Sequence, residues 1–466
     1  MRILAIVLIL LSLNRAYADY ADFKTLLPLG SQMALLITDT DGNPLYEFNA
    51  DRQMIPASTL KLVTATAAWL ELGESFRFVT EFRGPRPVMD QLPGDLVLMM
   101  RGDPTLRRAD LSYMVQTLAR EGVRQINGDL ILDGHLFDGY DRAPGWPWDD
   151  LGICYASPAS AVMLDKNCAT VAIRKRANRL SLQKPAHLPI SVEQELRLAP
   201  TSSLCPLEMD RKPENHYTLR GCLNEPTTLA IAVTDPHHYV TEILYQQLSA
   251  AGIRLHGEIR VGEGQPGQPV LAQHQSAPLS TLLRRVLEDS DNALSEALLR
   301  TIAHSFHHQG GSFPGGIVAV KQILRKQLGI DLSNSDLFDG SGLSRYNLIS
   351  ARQLAQVLMA WQQDPRLAEL RNLLPIAGES GTLKWRSGLK PISGKLAAKS
   401  GSFKQVRNLA GYLQREGDSP LIVIQLINGL VGDQKTIAME LSQFEQNLYR
   451  CITEDCMSSL NQAQTQ

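Results

Sequence analysis

Charge of one sign is what this chain most obviously lacks. Lysine and arginine number 46 against 48 aspartate and glutamate, a formal net charge of −2 over 466 residues. No basic field is available to hold a nucleic-acid backbone, so nucleic acid is not an expected partner. Beyond the N-terminus no apolar run is long enough to cross a bilayer. A glycine-rich loop of phosphate-cradling spacing is missing too. The histidines lack metal-ligand spacing: His237-His238 and His307-His308 are adjacent pairs, whose side chains point apart on a helix or strand. No cofactor and no metal are therefore expected. Cysteine is sparse, at six residues, yet 44% of the chain is hydrophobic, which is a globular composition for a chain long enough to hold several domains.

The N-terminus carries a targeting segment. Arg2 precedes the apolar run Ile3 to Leu11, and Ala16-Tyr17-Ala18 offers a small-x-small cleavage site, so residues 1–18 are expected to be a signal peptide. After its removal no integral membrane segment remains. The cysteines fall in three local pairs, Cys154 with Cys168, Cys205 with Cys222, and Cys451 with Cys456. Neighbour pairing is one connectivity among several, and it suits an oxidising compartment.

The most informative stretch is Pro56-Ala57-Ser58-Thr59-Leu60-Lys61 and the helix it opens. Leu62, Val63, Ala65, Ala67, Ala68, Trp69 and Leu70 make that helix apolar nearly all round, so it is expected to be buried. Ser58 and Lys61, three residues apart, share a face and reach each other. The helix start also offers free N–H groups and the positive end of the dipole. A serine there can be a simple cap, but a cap does not explain a cation in so apolar a helix. Ser-x-x-Lys recurs at Ser181/Lys184 and Ser387/Lys390, neither of which opens an apolar helix.

Other stretches complete the picture. Residues 33–48 are expected to form two strands joined at Asp41-Gly42-Asn43, and Phe76 to Phe82 another strand. A unit of strand, Asp-Pro, helix, Gly-β-branched-Arg and strand occurs twice, around Asp103-Pro104 and Asp235-Pro236, and two such units could build one small α/β layer. Between the copies lies a β-rich stretch, Ser160 to Cys222, with four of the cysteines in it or nearby. Ser290 and Asn292 lie on a sharp turn between helices over 279–288 and 293–304, where a cap is the plain reading and a hydroxyl and amide facing a cleft is the functional one. Lys399-Ser400-Gly401 ends a strand. Core strands over 409–413 and 420–427 and a helix over 433–449 follow, which suggests a mostly antiparallel sheet covered by helices.

Ser-x-x-Lys, Ser-x-Asn and Lys-[Ser/Thr]-Gly in this order resemble the motif set of serine penicillin-recognising enzymes. The long insertion between the first two motifs, with Asp339-Gly-Ser-Gly-Leu-Ser-Arg345 and Ala398-Lys-Ser-Gly-Ser402, resembles the class C low-molecular-mass penicillin-binding proteins, the D-alanyl-D-alanine carboxypeptidase/endopeptidases of the peptidase S13 type. The resemblance spans nearly the whole mature chain. It departs at Ser400, where the family usually has threonine. It implies an α+β, penicillin-binding-protein/β-lactamase-like transpeptidase fold, an antiparallel sheet flanked by helices and interrupted by two nested inserted domains. The catalytic domain is expected over 19–85 and 275–466, an α/β insertion over 86–158 and 224–274, and a small β-rich domain over 159–223.

The same resemblance implies roles. Ser58 is the nucleophile and Lys61 its base, which must be neutral to serve, a state favoured by burial and by a second cation at Lys399. The backbone N–H groups of Ser58 and Ser402 hold the oxyanion. Ser290 relays a proton, Asn292 holds the substrate amide, and Lys399, Ser400 and Gly401 bind the terminal carboxylate. Asp150, Tyr155 and Arg345 stand where the family holds a zwitterionic diaminopimelate side chain; the plain alternative for Asp150 is an exposed turn acid. The implied partners are peptidoglycan stem peptides and crosslinks and β-lactam antibiotics, and the implied location is the periplasm. A β-lactamase and a catalytically idle wall-binding protein are the rival readings. Oligomeric state, a homodimer included, is left open.

Overall fold

The computed structural model describes residues 25–176, 179–200 and 204–454. The expected signal peptide, the C-terminal tail and Cys456 lie outside the described residues. The chain divides into two compact units, one formed by Met1–Leu62 with Leu348–Gln466, the other by Val63–Asn347.

The first unit is built on a five-stranded antiparallel sheet. In spatial order its strands are Leu396–Phe403, Val406–Leu413, Leu421–Asn428, Gln32–Thr38 and Pro44–Phe48. Leu421–Asn428 is buried at every position, as a central strand covered on both faces must be. Successive side chains alternate between faces. Met33, Leu35, Ile37, Val423 and Ile427 share one core with Ile437, Leu441, Phe444 and Leu448 of the terminal helix Gln434–Thr453. The helix Ala351–Gln363 also packs on the sheet. It begins at a reciprocal cap between Ser350 and Gln353, which satisfies two otherwise unpaired N–H groups, and the Tyr412 hydroxyl donates to its Leu358 carbonyl at 2.6 Å. Beneath the terminal helix, Arg386 Nε donates to Glu445 Oε2 at 3.1 Å and Gln425 Nε2 to Glu445 Oε1 at 3.2 Å.

The second unit holds a mixed sheet in the order Ile259–Val261, Leu130–Asp133, Leu96–Met99, Val79–Arg83 and Val270–Gln275. The strand expected over 76–82 is Val79–Arg83, and its hydrogen bonds go to Leu96–Met99 and Val270–Gln275. The two repeat units share one core. Leu111, Met114, Val115 and Leu118 of helix Arg108–Arg120 join Tyr239, Val240, Ile243 and Leu244 of helix Pro236–Ala250. Their closing strands pair in parallel, Leu130–Asp133 with Ile259–Val261. Their opening strands diverge. Leu96–Met99 lies in the mixed sheet, whereas Thr227–Ala232 pairs antiparallel with Cys168–Arg176. The segment between the copies supplies that competing edge, and a strand satisfies its backbone on whichever edge is presented.

That segment forms one three-stranded sheet of Ser191–Leu198, His216–Leu223 and Glu208–Lys212, and two strands, Cys168–Arg176 and Arg179–Gln183, of another that Thr227–Ala232 completes. Disulfides join Cys154 to Cys168 and Cys205 to Cys222, two of the three neighbour pairs expected. The unit also holds the helices Leu279–Leu287, Asn292–His307 and Phe313–Leu328 and most of the helix Lys61–Leu72. Among the described residues no helix is long and apolar enough to cross a membrane.

Candidate active site

The helix opened by Ser58 starts as one tight 3-10 turn, Ala57–Leu60, and continues as an α-helix over Lys61–Leu72. Every residue from Thr59 to Trp69 is buried. Ser58 is half-buried, and Lys61 has no exposed surface. Lys61 Nζ donates to Ser58 Oγ at 2.9 Å. The residue at the cap position of this turn is Pro56, whose side chain makes no capping bond, and Ser58 lies within the turn. Ala57 sits at φ +47°, a left-handed conformation that a residue with a Cβ adopts at a cost of about 1–3 kcal/mol and that is concentrated at functional sites.

Two asparagines hold this strained entry in place. Asn408 Nδ2 donates to the carbonyls of Ile55 at 2.9 Å and Pro56 at 2.8 Å. Asn428 Oδ1 accepts from the Ile55 amide at 2.8 Å. Asn408 has no exposed surface, and its Oδ1 accepts from Ile427 N at 2.9 Å, so the sheet and the serine turn are tied through one satisfied polar side chain. Sequence reasoning passed over Asn408. Its signal is a buried-type polar residue inside the strand Val406–Leu413.

The Lys-Ser-Gly motif lies on Leu396–Phe403, the outermost strand of the sheet beside Val406–Leu413. Gly401 packs on the serine turn. A Cβ there would stand 2.6 Å from the Pro56 carbonyl oxygen and 3.0 Å from the amide nitrogens of both Ser58 and Thr59. Only glycine allows that approach. Ser402, the next residue, is exposed. Lys399 has no exposed surface, and its Nζ donates to the Ser400 carbonyl at 3.0 Å. Burial, and then the charge of Lys61, push the Lys399 ammonium well below the ordinary lysine range. Ser400 is 8% exposed, and its hydroxyl lies 2.6 Å from that of Thr382. Thus one unit brings together Ser58, Lys61, Lys399, Ser400 and Gly401.

Ser290, Asn292, Asp150, Tyr155 and Arg345 lie in the other unit. Ser290 takes φ +62° between the two helices. Asp291 is the cap there, accepting from Leu294 N at 3.2 Å, and Lys166 Nζ pairs with its other oxygen at 2.7 Å. The capping role expected of this turn therefore falls to the residue between the motif's two members. Asn292 Nδ2 donates to the Tyr155 carbonyl at 2.9 Å, and the Tyr155 hydroxyl donates to Asp150 Oδ1 at 2.6 Å. Burial and the Asp150 carboxylate raise the Tyr155 phenol strongly, which keeps it a donor, while the charge of Arg345 opposes them. Arg345 follows a loop wound around Asp339, which is 1% exposed and accepts from Gly342 N, Ser344 N, Asn347 Nδ2 and Trp146 Nε1. Asp339 is a second residue whose structural part the sequence did not disclose.

Over residues 21–448 the sequence matches the D-Ala-D-Ala carboxypeptidase 3 (S13) family. The chain belongs to that family. The D-alanyl-D-alanine carboxypeptidase DacB of Haemophilus influenzae is 35% identical over 449 residues, covering 93% of this chain and 94% of that protein. The crystal structure of penicillin binding protein 4 (dacB) from Haemophilus influenzae superposes with a TM-score of 0.88 at 34% identity, covering 93% of this chain and 99% of that one. The same protein complexed with a novel β-lactam gives a TM-score of 0.84 at 33% identity over the same shares of the two chains. This S13-family chain therefore has the α+β fold of the penicillin-binding proteins, and its family assigns it D-Ala-D-Ala carboxypeptidase activity.

Proposed function

We propose that the chain is an exported serine DD-peptidase of peptidoglycan that works through an acyl-enzyme on Ser58. The observation that carries this reading is the 2.9 Å contact from Lys61 Nζ to Ser58 Oγ, in a turn packed directly on the Lys-Ser-Gly strand. A serine hydroxyl is a weak nucleophile unless a base within hydrogen-bond reach takes its proton. Neutral Lys61 takes that proton as Ser58 Oγ attacks the carbonyl of the penultimate D-alanine. The N–H groups of Ser58 and Ser402 receive the oxyanion. The C–N bond then breaks, and the departing amine gains a proton through Ser290. Water attacks the Ser58 ester, Lys61 takes the proton the water loses and passes it to Ser58 Oγ as the acyl C–O bond breaks, and the serine hydroxyl is restored.

Lys399 and Ser400 take the terminal carboxylate of the substrate. An arriving carboxylate brings negative charge to two buried lysines, so substrate binding itself favours a protonated Lys399. Asn292 holds the substrate amide. Asp150, Tyr155 and Arg345 present an acid, a phenol and a cation to a zwitterionic side chain. Crosslinks in which D-alanine is joined to diaminopimelate offer the same scissile bond to the same groups, so endopeptidase activity accompanies carboxypeptidase activity. β-Lactams, cyclic amides with an adjacent carboxylate, acylate Ser58 and leave slowly; the β-lactam complex of the Haemophilus influenzae relative supports β-lactam binding. The disulfides support an oxidising compartment such as the periplasm.

Fluorescent penicillin labelling with mass spectrometry of the adduct tests the proposal. A long-lived adduct on Ser58, lost in Ser58→Ala with the melting temperature kept, together with release of D-alanine from stem pentapeptides, is the expected result. Rapid penicillin turnover would instead make the protein a lactamase, and a labelled Ser58→Ala would refute Ser58 as nucleophile.

A further inference from the structure

Ser400 has a freedom that its task does not tolerate. A serine hydroxyl rotates among three staggered positions, whereas a β-branched threonine is restricted about the same bond. A group that receives a carboxylate must be aimed before the ligand arrives, or binding loses affinity to the ordering. In this chain a second hydroxyl stands where it restores the aim. Thr382 Oγ1 lies 2.6 Å from Ser400 Oγ. Thr382 is carried by the short turn Gly381–Leu383. That turn is anchored at its last residue: Leu383 is fully buried in the core that also holds Leu396 and Leu409, and its carbonyl accepts from Gly378 N at 3.3 Å.

We infer that Thr382 is a positioning residue for the carboxylate site: its hydroxyl fixes the Ser400 hydroxyl so that the Ser400 proton points at the substrate's terminal carboxylate. The direction follows from valence. A carboxylate accepts and cannot donate, so Ser400 must spend its one proton on the ligand. Its lone pairs are then free to accept from Thr382, and the chain Thr382 to Ser400 to carboxylate polarises in one sense. The inference rests on the proposed role of Ser400 in carboxylate binding.

The test is a rescue series read as kcat and KM for D-alanine release from an N-acetylated peptide ending in D-Ala-D-Ala. Thr382→Val keeps the shape and removes the donor. It is expected to raise KM about tenfold, roughly one charge-linked hydrogen bond, with kcat changed by less than about twofold. Thr382→Ser restores KM. In a Ser400→Thr background, where branching restrains the hydroxyl, Thr382→Val changes KM by less than about twofold. An unchanged KM in Thr382→Val, when Ser400→Ala is impaired, overturns the inference. So does a Thr382→Val defect that persists undiminished in the double variant S400T/T382V. If Ser400→Ala is itself without effect, the carboxylate role beneath the inference fails, and the two failures are told apart.

Discussion

Replacing Gly401 by alanine puts the proposed geometry under its hardest load. The added methyl would meet the Pro56 carbonyl oxygen at 2.6 Å and the Ser58 and Thr59 nitrogens at 3.0 Å, where ordinary contact begins at 3.4 Å. All three neighbours are backbone, so no flexible side chain can swing aside. The strand and the serine turn must separate by about 0.8 Å, the shortfall of the closest contact. The turn cannot simply drift, because Asn408 and Asn428 hold Ile55 and Pro56 to the next strands of the sheet. An oxyanion donor set for about 2.9 Å would then lie at about 3.7 Å, beyond useful range. Misplacement on this scale costs on the order of 100-fold in rate, and overpacking costs about 1–3 kcal/mol of stability. The assay is the second-order rate of acylation by fluorescent penicillin in stopped flow, with a thermal melt on the same sample. Gly401→Ala acylating within about threefold of the parent would mean that the close approach does not govern the chemistry.

Two further outcomes are expected. Lys399→Met removes an ammonium whose folded-state pKa burial and Lys61 depress below 10.5. The unfolded chain binds that proton more readily, so the parent loses stability as pH falls from the ordinary lysine range toward the depressed value. The variant should therefore melt higher at about pH 7, by about 1–3 kcal/mol, with a gain that shrinks toward about pH 9.5, while D-alanine release is lost; a lower melting temperature throughout would show that Lys399 stabilises the fold. Glu445→Ala strands the Arg386 guanidinium, which is 16% exposed against 3% for the carboxylate. A loss of about 3–5 kcal/mol in urea unfolding is expected, and a loss below about 1 kcal/mol would show that the pair behaves like one at the surface.

The helix Lys61–Leu72 is legible because its apolar residues leave no polar face, and a helix without a polar face has to be covered. The strand Leu421–Asn428 is legible for a similar reason. What the sequence withholds is pairing at a distance. Asn408 grips Pro56 across 352 positions, and nothing local to either residue announces it. Thr382 lies in a stretch whose glycines read only as loop, 18 residues from the hydroxyl it meets. The second repeat copy looks like the first until its opening strand finds a different edge, a competition that periodicity does not encode. Ala57 is opaque in another way: alanine carries no preference for the left-handed conformation it adopts there, and only the bonds holding its neighbours impose it.

The described disulfides join each cysteine to the next one along the chain, at separations of 14 and 17 residues. A polypeptide emerging from its N-terminus thus meets the right thiol before any wrong one has appeared. A catalyst that merely oxidises suffices for such a molecule, and an isomerase to undo mispairing has little to correct.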